Sequence, residues 1–137
     1  MKIFIALTFI LLIISCDNNN SSKYVLEEKS QMAQLMLDMH SEMEEIQVKI
    51  KKGEDLGQYP SKYDEIVTAE MTDESMRDES WGAYANAVIE AKKNLYEAAP
   101  EEKEQAYQDV VNSCIACHTS VGCSGPIPKI NKLHWKD

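Results

Sequence analysis

Ala106-Tyr107-Gln108-Asp109-Val110-Val111-Asn112-Ser113-Cys114-Ile115-Ala116-Cys117-His118 decides how the rest of this chain is read. Ala106, Tyr107, Val110, Val111, Cys114 and Cys117 recur at helical intervals and put one face of a helix against a core. That face ends on Cys114-Ile115-Ala116-Cys117-His118, the Cys-x-x-Cys-His pattern of covalent c-type haem attachment. Two thiols three positions apart on a helix lie on one side and can form thioethers to the two vinyl groups of one porphyrin edge. The adjacent imidazole then gives iron its proximal ligand. Two other chemistries use the same residue types. A Cys114–Cys117 redox disulfide ordinarily sits at a helix start in a βαβ context, and no segment here alternates like a strand. A zinc site of Cys114, Cys117, His118 and Cys123 would require neighbouring Cys117 and His118 to reach one tetrahedral ion. The pattern favours one covalently held haem c.

Upstream, the chain reads as helices with short connections. Tyr24 to Lys52 contains no Pro or Gly. Its apolar residues Met32, Met36, Met39, Met43, Ile46 and Ile50 alternate spacings of four and three, the stripe of a long helix in a bundle. Gly53 to Pro60 is a loop. Ser61-Lys62-Tyr63-Asp64 opens a shorter helical stretch through Ile66 and Val67. Trp81, Tyr84, Ala85, Val88, Ala91, Lys92 and Leu95 mark a third helix that ends near Ala98-Ala99. Pro100-Glu101-Glu102 is a good first turn for the fourth, because Pro is tolerated there and acids favour the positive end of the dipole. The expected fold is all-α, an antiparallel four-helix bundle with the haem motif at its C-terminal end. Gly122, Gly125, Pro126 and Pro128 then predict a non-helical tail, with Ile127, Ile130, Leu133 and Trp135 as contacts against the bundle.

A haem motif at the end of the last helix, rather than near the N-terminus, resembles the class II cytochromes c, the cytochrome c′ family of four-helix bundles. The resemblance covers about Val25 to Thr119 and is most specific over Ala106 to His118, where an aromatic, a valine and a serine precede the first Cys. Trp81 with Tyr84 is similar to the start of the family's third helix. The resemblance implies that Cys114 and Cys117 bind the haem, that His118 is the proximal ligand, and that a first-helix residue faces the distal side. A Met there implies six-coordinate iron suited to electron transfer, and an apolar residue implies five-coordinate iron that binds NO or CO. Met32 matches the family's position, with Met36 as the second choice and His40 as a minor one. Several of these methionines are core filler, since Met packs irregular gaps. The chain departs from the family in Thr119-Ser120-Val121, where a basic residue is usual, in a short second helix, and in the extension from Gly122 to Asp137. His134 reads as a solvated tail residue, and Cys123 as a buried small residue beneath Pro126 and Pro128, the alternatives being an intermolecular disulfide and a distal or regulatory thiol.

The other end carries an address. Lys2, the apolar run Ile3–Ile14 and Ser15-Cys16 have the form of a signal sequence, too short for a span of ~20 residues. Ile13-Ile14-Ser15-Cys16 resembles the bacterial lipobox, which implies acylation of Cys16. Asp17 to Ser22 has no apolar residue and reads as a tether. The organisation is therefore a signal peptide over 1–15, a tether over 16–23, a haem domain over 24–119 and an extension over 120–137. Acyl chains contribute ~0.8 kcal/mol per buried CH₂, enough for stable anchoring outside the cytoplasm, on the periplasmic side of a bacterial membrane.

One domain accounts for 137 residues. Lys+Arg 14 against Asp+Glu 23 gives −9, and loss of Lys2 with the signal takes this to −10. Such a balance excludes a nucleic-acid binder that relies on a basic surface. The runs Glu42, Glu44, Glu45 and Asp73, Glu74, Asp78, Glu79 read as solvated faces that steer a basic partner. The expectation is a non-enzymatic, single-electron carrier whose partners are redox proteins, the membrane and, in a homodimer, a second copy. The alternatives are a gas-binding haem protein and a non-haem lipoprotein with a Cys114–Cys117 disulfide. Cys16→Ser should shift the protein from the membrane to the soluble fraction, or stall its processing; an unchanged membrane fraction counts against acylation.

Overall fold

The computed structural model describes residues 28–136. The signal, Cys16 and the tether lie outside the described residues, as does the stretch from Tyr24 to Glu27 where the first helix was expected to start. Among the described residues the fold is all-α, with no strand. Three long helices dominate: α1 (Gln31–Lys52), α2 (Trp81–Glu97) and α3 (Lys103–Ser120). A single turn, α4 (Ile127–Ile130), follows.

Local chemistry sets the ends of α1. Glu28 to Ser30 are not helical, so α1 starts later than its periodicity suggests. Ser30 is the N-cap, its hydroxyl accepting from the Ala33 amide at 3.2 Å. Gly53 closes the helix at φ 67, and its N–H donates to the Ile50 carbonyl at 3.0 Å. Lys49, Lys51 and Lys52 complement the dipole in the last turn.

The second expected helix is a 3₁₀ segment, Ser61–Val67. Tyr63, Ile66 and Ala69 are buried at intervals of three, the period of a 3₁₀ turn rather than an α-helix, so packing favours the tighter winding. A second 3₁₀ turn, Glu74–Met76, leads to α2. There the Asp78 carboxylate accepts from the amides of Ser80 (2.8 Å) and Trp81 (3.1 Å), covering donors at the helix start. Pro100 and the two glutamates form a turn, and α3 begins at Lys103.

The tail is also partly helical, contrary to expectation. Pro126 and Pro128 lie at the start of α4, where a missing N–H costs nothing, and Asn131–Leu133 continue as a 3₁₀ turn. Ile130 and Leu133 are buried as anticipated. Tyr107, wholly buried, donates its hydroxyl to the Leu133 carbonyl at 2.8 Å, and Gln47 Nε2 donates to the same carbonyl at 3.1 Å. Trp135 packs edge-on to Tyr107 at 5.7 Å between centroids. These contacts fasten the tail across α1 and α3.

Two apolar clusters form the core. One holds Met32, Leu35, Met39, Tyr63, Ile66 and Trp81 among its members, the other Met43, Ile46, Leu95, Tyr107, Val110 and Leu133. Leu35, outside the methionine stripe, is buried, while Met36 is only half-buried. α2 and α3 pack along their length as a hairpin, whereas the backbone of α1 approaches them sparingly. Side chains span the difference. Lys92, wholly buried, pairs with Glu42 of α1, and Tyr96 donates to the same carboxylate at 2.6 Å. The Lys92 ammonium also lies 4.2 Å from the Tyr63 ring centroid. Glu42 is thus no solvated acid but the clasp between α1 and α2. Lys92→Met strands the Glu42 carboxylate and should cost about 3 kcal/mol in urea unfolding. Lys92→Met with Glu42→Gln should recover most of that loss; equal destabilisation in both variants would refute the role of the pair.

Candidate functional site

Between α1, α3 and the tail lies a cavity of about 520 Å³. This is within the size range of small-molecule sites. Met32, Met36, Met39 and Met43 line one side, and Cys114, Cys117 and His118 of α3 line another. The tail, with no role assigned from sequence, closes the cavity through Val121, Cys123, Pro126 and Ile130. Trp81 and Lys92 of α2 also reach it. The structure therefore brings the haem-motif residues and all the methionine candidates to one space.

His118 is held by the tail. Its Nδ1 lies 3.0 Å from the Cys123 carbonyl oxygen. A carbonyl only accepts, so the hydrogen-bond pattern assigns the proton to Nδ1 and leaves the lone pair of Nε2 for a metal. Ligating histidines are ordinarily oriented in this way by a carbonyl on the second nitrogen. Burial lowers the His118 pKa, opposed by this hydrogen bond, and favours the neutral imidazole that metal binding needs. Gly122, at φ 74, makes the left-handed turn after α3 that returns Cys123 to His118.

The thiols have the opposite character to redox cysteines. Burial pushes Cys114 up to about 11, against a small opposing effect of the Lys92 charge. Cys117 is raised as well, by burial and then by the proximity of Cys123. All three described cysteines are free. A reactive dithiol depends on a lowered thiol pKa, and here burial outweighs the Lys92 charge and raises both thiols. Among the described residues no group of three or more His, Cys, Asp or Glu is gathered to hold a bare metal ion, so Cys114, Cys117, His118 and Cys123 do not form a zinc cage. A porphyrin brings four nitrogens of its own and asks only for thiols at its edge, an axial imidazole and an apolar enclosure. The residues present fit that group.

His40 lines the cavity, with Nδ1 3.7 Å from Glu44 and a buried Nε2 that has no hydrogen-bond partner among the described residues. Trp81 Nε1 is in the same position. His134 is not solvated: it is half-buried, with Nδ1 2.9 Å from Gln108 Oε1. Cys123 is half-buried with a free thiol, and its backbone carbonyl is the group that meets His118. A backbone acceptor leaves no trace in residue identity, so no sequence signal announces it. Lys92 did stand in the apolar stripe of α2, and a lysine at a stripe position is a readable sign of a buried partner.

No protein-family model, no curated protein and no solved structure matches this chain. Among the described residues no helix is long and apolar enough to cross a membrane.

Without haem attachment, Cys114 should alkylate with iodoacetamide about tenfold more slowly at pH 8 than an unperturbed thiol, since a thiol pushed from 9.0 up to about 11 has far less thiolate, partly offset by the greater nucleophilicity of a more basic one. Fast alkylation at Cys114 would instead favour redox thiol chemistry.

Proposed function

We propose that this chain is a monohaem c-type cytochrome of the class II kind, lipid-anchored outside the cytoplasm and carrying single electrons between protein partners. In this reading the bundle is of the cytochrome c′ type, with its second helix reduced to the 3₁₀ segment Ser61–Val67 and its open side covered by the tail. One observation carries the proposal: Cys114, Cys117 and His118 line an apolar cavity, with the His118 Nδ1 proton directed at a backbone carbonyl. Bound there, the haem iron supplies a one-electron couple. Cys114 and Cys117 hold the group covalently, and His118 presents Nε2 to the iron. The Cys123 carbonyl fixes the ring and strengthens its donor character, which lowers the reduction potential. Met32, Met36, Met39 and Met43 exclude water with soft, deformable side chains. Met32 is the candidate distal ligand because it matches the position used in the resembled family, and Met36 is the second choice. No protein group makes or breaks a substrate bond, so the chain is not an enzyme. Acylation at Cys16 keeps it at a membrane surface.

A pyridine haemochrome spectrum of protein expressed with a cytochrome c maturation system should report one covalent haem; its absence overturns the reading. A low-spin ferrous spectrum unaffected by CO supports a Met ligand, and Met32→Ala should convert it to high spin with rapid CO binding. A wild-type protein that is already high spin and binds CO would replace electron transfer with gas binding.

A further inference from the structure

The charged groups around the cavity fall into two kinds. Lys92 is wholly buried and engaged by Glu42. Asp73 is exposed and engaged by Ser75, whose amide (2.9 Å) and hydroxyl (2.6 Å) both donate to its Oδ1. Lys29 and Lys129 are different. Both line the cavity and both are exposed, which puts them at its mouth. Neither side chain has an ion pair or hydrogen bond among the described residues, in a chain whose acids outnumber its basic residues by nine. They also come from separate elements. Lys29 directly precedes the Ser30 cap of α1, and Lys129 belongs to α4 in the tail.

We infer that Lys29 and Lys129 form a carboxylate-recognising rim that orients an amphipathic, dicarboxylic tetrapyrrole as its apolar body enters the cavity. The inference rests on the haem reading and adds to it two binding residues. Apart from Lys92, which Glu42 already engages, the cations stand at the mouth of an apolar interior, an arrangement that selects a ligand with an apolar body and anionic ends. Protoporphyrin IX, the b-type porphyrin from which haem c is made, has that form: its two vinyl groups lie on one edge and its two carboxylates on the opposite one. Thioether formation at Cys114 and Cys117 commits the vinyl edge to α3. Two lysines on two elements then match two carboxylates, and pairing before attachment would present the vinyl groups to the thiols in one orientation. Exposed pairs contribute modestly, so the rim acts by orientation and selectivity rather than by dominating affinity.

The test separates carboxylate recognition from iron ligation by using metal-free protoporphyrin IX and its dimethyl ester as probes. Binding to the full chain, expressed without haem-attachment machinery, is followed by quenching of tryptophan fluorescence. Lys29→Gln with Lys129→Gln should weaken binding of the diacid about fivefold and leave that of the diester unchanged. The wild-type preference over the variant should shrink as salt is raised. Equal affinities of wild type and variant for the diacid overturn the inference. So does an equal loss for both porphyrins, because it signals a damaged cavity rather than a lost charge pair, and so does a wild type that binds neither. The haemochrome measurement stands apart from these outcomes: covalent haem in a protein with no diacid selectivity refutes the rim alone, and absence of covalent haem refutes the cytochrome reading.

Discussion

The ion pair of Lys92 and Glu42 sets the spacing on which the cavity depends. α2 and α3 associate closely along their length, but α1 stands off from them and is tied chiefly by side chains. A lysine stem and a glutamate reach across the gap, with Tyr96 and the face of Tyr63 satisfying the charges that burial deprives of water. Burial pulls the Lys92 pKa down while Glu42 opposes it. Buried pairs are weak sources of net stability compared with apolar packing. Their contribution here is geometric: a defined separation between two helices that border an open space.

The tail covers one side of that space. Three long helices leave one side of the core uncovered, and the 3₁₀ segment Ser61–Val67 packs against α1 and α2. The last residues take the other side. They are held at one end by Tyr107, Gln47 and Trp135, and at the other by the His118–Cys123 hydrogen bond. The same segment thus serves packing and chemistry. Ile130 and Leu133 complete the second apolar cluster, while the carbonyl of Cys123 orients the imidazole.

Much of this was legible before any coordinates. The stripe of Met32, Met39, Met43 and Ile46 has the helical period, and those four residues are buried. Trp81 and Leu95 bracket α2, and Gly53 and Gly122 punctuate where a left-handed residue is needed. The misses share a cause. The 3₁₀ winding of Ser61–Val67 comes from tertiary packing of Tyr63 and Ile66, which local pattern does not encode. Glu42 looks like its neighbours Glu44 and Glu45 in sequence, and only the position of Lys92 on another helix separates them. Pro and Gly in the tail signal the end of α3 correctly, yet two prolines at the start of a short turn are as compatible with a helix as with a loop. Of the site, the side chains of Cys114, Cys117 and His118 were readable as a motif. The carbonyl that orients His118 was not, because backbone atoms are common to every residue.

Burial in this cavity acts on two kinds of titratable group in one direction, and the result discriminates among uses of the motif. It raises the thiols of Cys114 and Cys117 and lowers His118, so all three favour their neutral forms. A redox dithiol needs a stable thiolate and would be poorly served by such an environment. Zinc binding needs thiolates too, and would have to overcome the same penalty at each sulfur. A thioether sulfur carries no charge in the product, and an axial imidazole must be neutral to ligate. In the proposed haem reading, an apolar surrounding would suit thioether attachment and histidine ligation alike, because neither leaves a charged thiolate or imidazolium.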